Sequence, residues 1–89
     1  MRAVITVIGK DMVGILAGVS RICADAGANI TDVTQSVMQD LFAMIMLVDL
    51  SGSTRAFADL SSELEQFGNE NGLSARIMHE DIFNSMHKI

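Results

Sequence analysis

The residues best suited to chemistry lie between Gly9 and Leu16, a segment that reads Gly-Lys-Asp-Met-Val-Gly-Ile-Leu. A short apolar strand is predicted to run into Gly9, and an apolar helix follows, with Asp11 as its cap and Gly14 in its first turn. N–H groups in the first turn of a helix have no partner within the helix, and they favour an anion. Asn29 opens the next predicted strand with a polar side chain. Together these features predict a site for a small anionic ligand.

Other sites built on a loop of this kind need residues that this loop lacks. The spacing Gly-x-x-x-x-Gly is present, but Gly14 is followed by Ile15 and not by the Lys-Ser/Thr pair of a phosphate-binding loop. Copper chaperones of the topology predicted below carry Cys-x-x-Cys in the first loop, and small acyl-phosphate hydrolases carry an arginine there. This loop has neither, and its one cation is Lys10. Phosphate, copper and hydrolase chemistry are therefore not expected.

No group of residues in the sequence indicates catalysis or a metal site. His79 and His87 are the two histidines, and neither has a cysteine nearby to share a metal ion. The methionines, especially Met38, Met44 and Met46, could bind a soft metal. They are instead expected to fill irregular gaps in the core. We therefore expect no catalytic residues, no metal ligands and no cofactor.

The composition predicts a cytoplasmic protein that binds neither nucleic acid nor membrane. The net charge is −5 and the estimated pI about 4.6, the opposite of the basic patch that phosphate binding requires. The predicted central strands offer one aromatic residue, Phe42, for stacking on bases. The lone cysteine, Cys23, suits a reducing compartment. The apolar stretch after Arg2 is too short for a signal peptide, and the longest apolar run, 41–48, is too short to cross a bilayer.

Hydrophobic spacing predicts six main elements and a short final helix. The first strand has apolar residues on both faces, as a central strand does. Ile30, Val33 and Val37 do not share a period of two, which predicts a bulge near Asp32. The predicted order is strand 2–8, helix from 11 or 12 to 26, strand 29–39, strand 41–50, a helix capped by Ser53 or Thr54 and ended by Gly72 or Gly68, strand 73–80 and helix 81–89.

This order predicts a ferredoxin-like βαββαβ sandwich of the α+β class, in which two right-handed crossovers are joined by a hairpin. One four-stranded antiparallel sheet would carry the two long helices on one face. Residues 1–89 are expected to form a single domain, with a core of 1–80 and a short C-terminal helix, 81–89, capped by Asp81. The strand 41–50 is apolar on both faces down to Leu47, so we expect it mid-sheet with both faces covered.

The chain resembles the ACT domain in the motif Gly9-x-Asp11-x-x-Gly14-Ile15-Leu16 followed by Asn29-Ile30, within this order of elements. The similarity covers essentially all of residues 1–80. Residues 37–50 are similar to small stand-alone bacterial ACT proteins related to the regulator of the glycine-cleavage system. The resemblance implies a regulatory domain, not an enzyme, that binds an amino acid or a similar small molecule.

In that family the ligand lies between two ACT units, where the loop and helix start of one face the opening of the second strand of the other. Carried over to this chain, the loop would supply backbone donors and side-chain walls from Asp11, Met12, Val13, Gly14, Ile15 and Leu16. The other unit would supply Asn29 and Ile30. The ligand carboxylate would meet the helix N-terminus, and its ammonium group would need an acceptor such as Asp11, Asp32 or a main-chain carbonyl.

Two alternatives stay open for these residues and for the function. Gly14 could instead allow close packing, and Asn29 could be a turn residue with local backbone bonds.

The surplus of apolar side chains independently predicts at least a homodimer, because two helices cover one sheet face and the other needs the final stripe or a second subunit. The alternative function is a ligand-free interaction module that regulates a transcription factor or a metabolic enzyme; a small hydrolase ranks last.

Overall fold

The computed structural model describes residues 1–10 and 13–87 of the 89-residue chain. Within them, strands and helices follow in the order β-α-β-β-α-β-α. The elements are β1 (Arg2–Lys10), α1 (Ile15–Ala26), β2 (Asn29–Met38), β3 (Leu41–Asp49), α2 (Phe57–Asn71), β4 (Ser74–His79) and α3 (Glu80–Met86). The last residue of the predicted C-terminal stripe, Ile89, lies outside the described residues.

The four strands form one antiparallel sheet in the order β2-β3-β1-β4. β1 and β3 lie at its centre because both are apolar on two faces, whereas β2 and β4 form the edges. The helices α1 and α2 pack on one face of the sheet. This is the predicted ferredoxin-like α+β sandwich, and the prediction is confirmed.

The core lies between the sheet and the helices α1 and α2. Alternate residues of the central strands point into it, so Ile5, Val7, Met44 and Met46 are fully buried. Met44 and Met46 thus fill the core as expected. Met38 does not, and is 58% exposed, because it lies at the end of an edge strand on the face that α1 and α2 leave uncovered.

A β-bulge in β2 shifts the cross-strand register between Ile30 and Asp32, as the irregular alternation predicts. Ile30 faces the core, Asp32 lies on the opposite face of the sheet, and Val33 returns to the core side. The chain then turns at Gln39 and Asp40 into β3, with Gln39 at a φ of +56°. The bulge therefore decides which side chains of β2 share a face with α1.

α2 approaches β4 closely at Gly68, which is buried within the helix. A Cβ atom built on Gly68 would lie 2.8 Å from the carbonyl oxygen of Leu73 and 3.1 Å from the main-chain nitrogen of Ala75. Main-chain atoms cannot move aside as a side chain can, so this contact requires a glycine. The helix continues past Gly68 and ends at Gly72, the first of the two predicted terminators.

α3 packs against β1 and β4 on the face that α1 and α2 leave uncovered. Val4, on this face, is buried, but Leu41 and Ile45 of β3 remain 42% and 44% exposed. Within one chain this part of β3 is therefore left uncovered, because the final helix is short and does not extend across the sheet. The expected cover over both faces of the third strand, from the final stripe or a second subunit, stays a prediction.

The predicted caps of the second and third helices are also wrong. α2 begins after Ala56 without a side-chain cap, because Ser53 and Thr54 lie in the preceding loop, where Ser53 bonds to the main chain of Arg55. α3 follows His79, so Asp81 lies in its first turn, where a carboxylate still favours the helix dipole. The ends of β2, β3 and β4 agree with the prediction within one residue.

Candidate functional site

The segment singled out by its sequence lies at one end of the sheet, between β1 and α1. β1 does not end at Gly9 as predicted, because Gly9 pairs with Phe42 of β3 and the strand continues to Lys10. Asp11 and Met12 lie outside the described residues. The predicted helix cap and one predicted wall of the site therefore stay predictions.

Gly14 immediately precedes α1 and is not part of its first turn, which corrects the prediction. Its φ is +89° and its ψ 4°, a left-handed conformation that glycine adopts far more readily than other residues. A Cβ atom built on Gly14 would meet no atom of the described residues within 4 Å. Among the described residues the glycine therefore serves the backbone turn and has no close neighbour, which favours ligand approach over the alternative of close packing.

The start of α1 carries main-chain donors that the helix itself does not use. The carbonyl oxygen of Gly14 accepts a hydrogen bond from the N–H of Gly18 at 2.9 Å, which closes the first turn. The N–H groups of Ile15, Leu16 and Ala17 precede that bond and have no acceptor within the helix. In the described part of the chain no side chain caps this end, and its first turn has no acidic residue. The local field therefore favours a carboxylate.

The side chains beside this helix start divide between core and solvent. Ile15 is 2% exposed and packs in the core, so only its main chain can face a ligand. Val13 is 99% exposed and Leu16 39%. These two apolar side chains are available as walls for the apolar part of a bound molecule.

Asn29 and Ile30 lie at the other end of the sheet. Asn29 starts β2 just after α1 has ended, and the twelve residues of α1 span about 18 Å. Asn29 is exposed and pairs across the sheet with Asp49, whereas Ile30 packs against the core. A single chain therefore does not bring Gly14 and Asn29 together.

Asp49 is held ionised by its surroundings. Its carboxylate accepts hydrogen bonds from the hydroxyl of Ser51 at 2.7 Å and from the main-chain N–H of Ser51 at 2.9 Å. These bonds, helped by the positive charges of the Met1 amino group and Arg2, lower the pKa of Asp49 from its ordinary value of 3.8. Asp49 is thus engaged by its own turn and is not a free partner for a ligand ammonium group.

Asp32, one of the acceptors considered for that ammonium group, is also engaged locally. Its carboxylate accepts a hydrogen bond from the N–H of Val33 at 2.9 Å. The cross-strand register pairs Asp32 with Leu47, on the sheet face away from α1. The bond to Val33 leaves the Asp32 carboxylate less available to other donors.

The sequence interpretation missed two residues of β2 that lie on the same sheet face as α1. Gln35 and Val37 follow the bulge, and their pairing with Met44 and Phe42 puts them on the α1 side of the sheet. Val37 is 57% exposed, at the same end of the sheet as Gly14. The available signal was the strict alternation that resumes after the bulge, which assigns every second residue of β2 to this face.

The remaining reactive side chains are engaged within the fold. The ring of His79 stacks on Phe57 and that of His87 on Phe83, with centroids 4.7 and 4.1 Å apart. Cys23 is fully buried, and burial raises its pKa to about 11. Across residues 1–10 and 13–87, no three His, Cys, Asp or Glu side chains gather as metal ligands would. No helix in the same ranges combines the length and apolarity needed to cross a membrane.

Known proteins resemble this chain in both sequence and fold. The family model of the ACT domain matches residues 2–78. A UPF0237 protein from Methanocaldococcus jannaschii is 51% identical over 88 residues, which are 99% of this chain and 98% of that protein. The solved structure of an ACT domain protein from Streptococcus pneumoniae is 41% identical with a TM-score of 0.80 and covers 93% of either chain.

A candidate glycine cleavage system transcriptional repressor of solved structure is 28% identical, with a TM-score of 0.74; the match spans 86% of this chain and 44% of that one. The resemblance to small ACT proteins and to this regulator is therefore confirmed. The family model and the Methanocaldococcus relative each cover well over two thirds of the chain. The chain belongs to the ACT domain family, whose members are regulatory modules that bind small molecules.

Proposed function

We propose that this chain is a cytoplasmic regulatory module, not an enzyme, that binds an amino acid between two copies of itself. The observation that carries the proposal is the left-handed turn at Gly14, where a Cβ atom would meet no atom of the described residues and no described side chain caps the α1 start. Those donors suit a carboxylate, and the exposed side chains of Val13 and Leu16 suit an apolar ligand side chain. Membership of the ACT family supports the regulatory and small-molecule parts of the proposal.

A homodimer is part of the proposal because one chain supplies only half of the site. A two-fold axis would bring the Gly14 turn of one copy to the Asn29 end of the other, and would form the site twice. β2 is an edge strand, so its outer main-chain groups have no partner strand among residues 1–10 and 13–87. All its residues except Ile30 and Val33 are exposed. This supports an interface along the β2 edge, which we call the edge interface.

Within this site the ligand carboxylate would accept hydrogen bonds from the first-turn N–H groups of α1. The side-chain amide of Asn29 from the second copy would bond to the polar groups of the ligand, since an amide both donates and accepts. Asp11 or a main-chain carbonyl would receive the ammonium group, because the carboxylate of Asp32 already accepts a hydrogen bond from the N–H of Val33. No proton transfer or bond cleavage is required of any residue.

Calorimetric titration with each of the twenty amino acids tests the proposal. In a parallel unfolding experiment, the amino acid that binds should raise the free energy of unfolding by about 2.7 kcal/mol when its concentration is 100 times its Kd. Gly14→Trp should abolish binding, because the indole fills the open space. Gly72→Trp is a matched control, since Gly72 has a φ of +69° and equally open surroundings at the end of α2. Absence of binding by any amino acid, or equal loss in both variants, would refute the proposal.

A second candidate function is a ligand-free interaction module that controls a transcription factor or a metabolic enzyme. The exposure of Ile82 and Met86 on α3, 51% and 65%, favours it. On this alternative, Met86→Glu removes binding of the regulated protein and Gly14→Trp does not. Quantitative capture of that protein with the two variants therefore separates the two functions.

A further inference from the structure

The sheet face opposite α1 and α2, which we call the open face, is only partly covered. α3 lies over β1 and β4 and leaves the β3 side uncovered. Large apolar side chains on this face are therefore exposed: Ile8 by 49%, Met38 by 58%, Leu41 by 42% and Ile45 by 44%. So many large apolar side chains on one surface indicate an interaction site.

A groove of about 300 Å³ runs along the open face between α3 and the sheet. Its floor comes from β1 and β3 and its wall from α3 and the residue that follows it. Among the residues that the structure describes, no carboxylate, lysine or arginine lines the groove, and the polar groups of its lining are the Thr6 hydroxyl and the His87 ring. The ring of His87 is fixed by stacking on Phe83, with its Nδ1 2.8 Å from the Phe83 carbonyl oxygen. The groove therefore suits an apolar occupant.

An apolar ridge on α3 forms one edge of this groove, since Met86 also lines it. Ile82 and Met86 are four residues apart on α3, so they lie on one side of the helix. They are 51% and 65% exposed. When a ridge and a groove lie on the same surface, a two-fold axis can place the ridge of each copy in the groove of the other. This self-complementarity points to a second copy of the chain as the occupant.

The area and charge of the open face also suit self-association. The six exposed apolar side chains offer on the order of 600 Å², where a stable interface buries ~800 Å² per partner and little more than half of it is apolar. The chain carries a net charge of −5, so two copies repel each other. The two cross-strand neighbours of Ile45 on the open face, Thr6 and Thr34, carry no charge. Burying Ile45 beside them therefore desolvates no ion, and Arg76, which pairs with Thr6 from β4, bounds this uncharged area.

We propose that two copies of this chain pack open face against open face, with α3 of each copy seated against the groove of the other. This contact uses a different surface from the edge interface and does not depend on ligand binding. Since the two surfaces are separate, both can be occupied at once. A chain that uses both assembles into four copies.

Sedimentation equilibrium at low micromolar concentration tests the proposal. The wild type should have the mass of four chains. Ile45→Glu places a carboxylate in the middle of the open face, and Met86→Glu places one on the ridge. Each should leave two chains and weaken the open-face contact by at least ~100-fold, because a buried unpaired charge is costly. Met86 is 65% exposed, so Met86→Glu keeps the fold even where Ile45→Glu does not. Ser62→Glu, exposed on α2, is the matched control and should keep four chains.

Val37→Glu, at the β2 edge, separates the two interfaces. If only the open-face contact exists, the wild type and Val37→Glu should each have the mass of two chains, and Ile45→Glu should be a monomer. This result supports the open-face proposal and refutes the edge interface. If only the edge interface exists, the wild type and Ile45→Glu have two chains and Val37→Glu one, which overturns the open-face proposal alone. The open-face proposal is also overturned if the wild type is a monomer, or if neither Ile45→Glu nor Met86→Glu changes its mass. In that case the exposed side of α3 would be a contact surface for a different protein.

Discussion

Gly14 and Asn29 lie at opposite ends of α1, with about 18 Å of helix between them. The open turn and the polar side chain that together indicated a ligand site are thus separated within one chain. A two-fold axis can unite the turn of one copy with the strand opening of another. In the proposed function the dimer is therefore a condition for the site and not an addition to it.

Replacing Gly14 by Ala should lower the free energy of unfolding by about 1 kcal/mol through backbone strain, because a Cβ atom there meets no atom of the described part of the chain. Gly14→Asn should cost less, since asparagine tolerates the left-handed conformation. Urea unfolding of the three proteins measures the difference. Equal losses in the two variants would contradict the role assigned to φ. In ligand titrations Gly14→Asn should still weaken binding, because its side chain enters the open space.

Gly68→Ala should destabilise the protein by 1–3 kcal/mol, about the cost of overpacking, although alanine is the better helix former. The reason is the contact of 2.8 Å that its Cβ would make with the carbonyl oxygen of Leu73. Asn69→Ala, at the exposed next position, is the control and should change stability by no more than ~0.5 kcal/mol. A neutral or stabilising Gly68→Ala in thermal and urea unfolding would show that α2 can shift away from β4.

Cys23 should make stability fall at alkaline pH. Burial raises its pKa from 9.0 to about 11, so the unfolded chain loses the thiol proton first. The contribution is complete below pH 9 and is lost as the pH rises through about 11, by about 3 kcal/mol in total. The measurement is the free energy of unfolding of the wild type minus that of Cys23→Ala across this range. A difference that does not vary with pH would contradict the burial of the thiol.

Asp49 should titrate below its ordinary range, and Ser51→Ala should raise its pKa by removing the bond from the hydroxyl. Carboxyl chemical shifts followed by NMR report this directly, with Ser62→Ala as a control that leaves Asp49 unchanged. Because the folded pKa is lowered, the contribution to stability is present above the ordinary value of 3.8 and is lost as the pH falls through the folded value. A pKa of Asp49 that Ser51→Ala does not move would refute this assignment.

Much of the fold was predictable because its local patterns are unambiguous. β1 and β3 are apolar on both faces, which required central positions in the sheet. The broken alternation between Ile30 and Val33 indicated the bulge, and Gly72 indicated the end of α2. These features depend on residues close in sequence, so periodicity and turn chemistry suffice to find them.

The parts that differ from the prediction depend on tertiary contacts. Gly9 was expected to end the first strand, but its pairing with Phe42 extends it, and α1 consequently starts at Ile15 with Gly14 before it. The exposure of Met38 and Leu41 depends on how far α3 reaches across the sheet. No local pattern contains that distance. The candidate site was found from its residue types, while the separation of its two halves followed only from the direction of α1.

Complementation between two binding-defective variants tests the shared site most directly. Gly14→Trp blocks the turn and Asn29→Ala removes the partner amide, so each variant alone should fail to bind the amino acid that the wild type binds. Co-refolded in equal amounts, the two should regain about a quarter of the wild-type sites by calorimetry, because one site in four pairs an intact turn with an intact Asn29 from another copy. A mixture that binds no better than the separate variants would contradict a site shared between two chains.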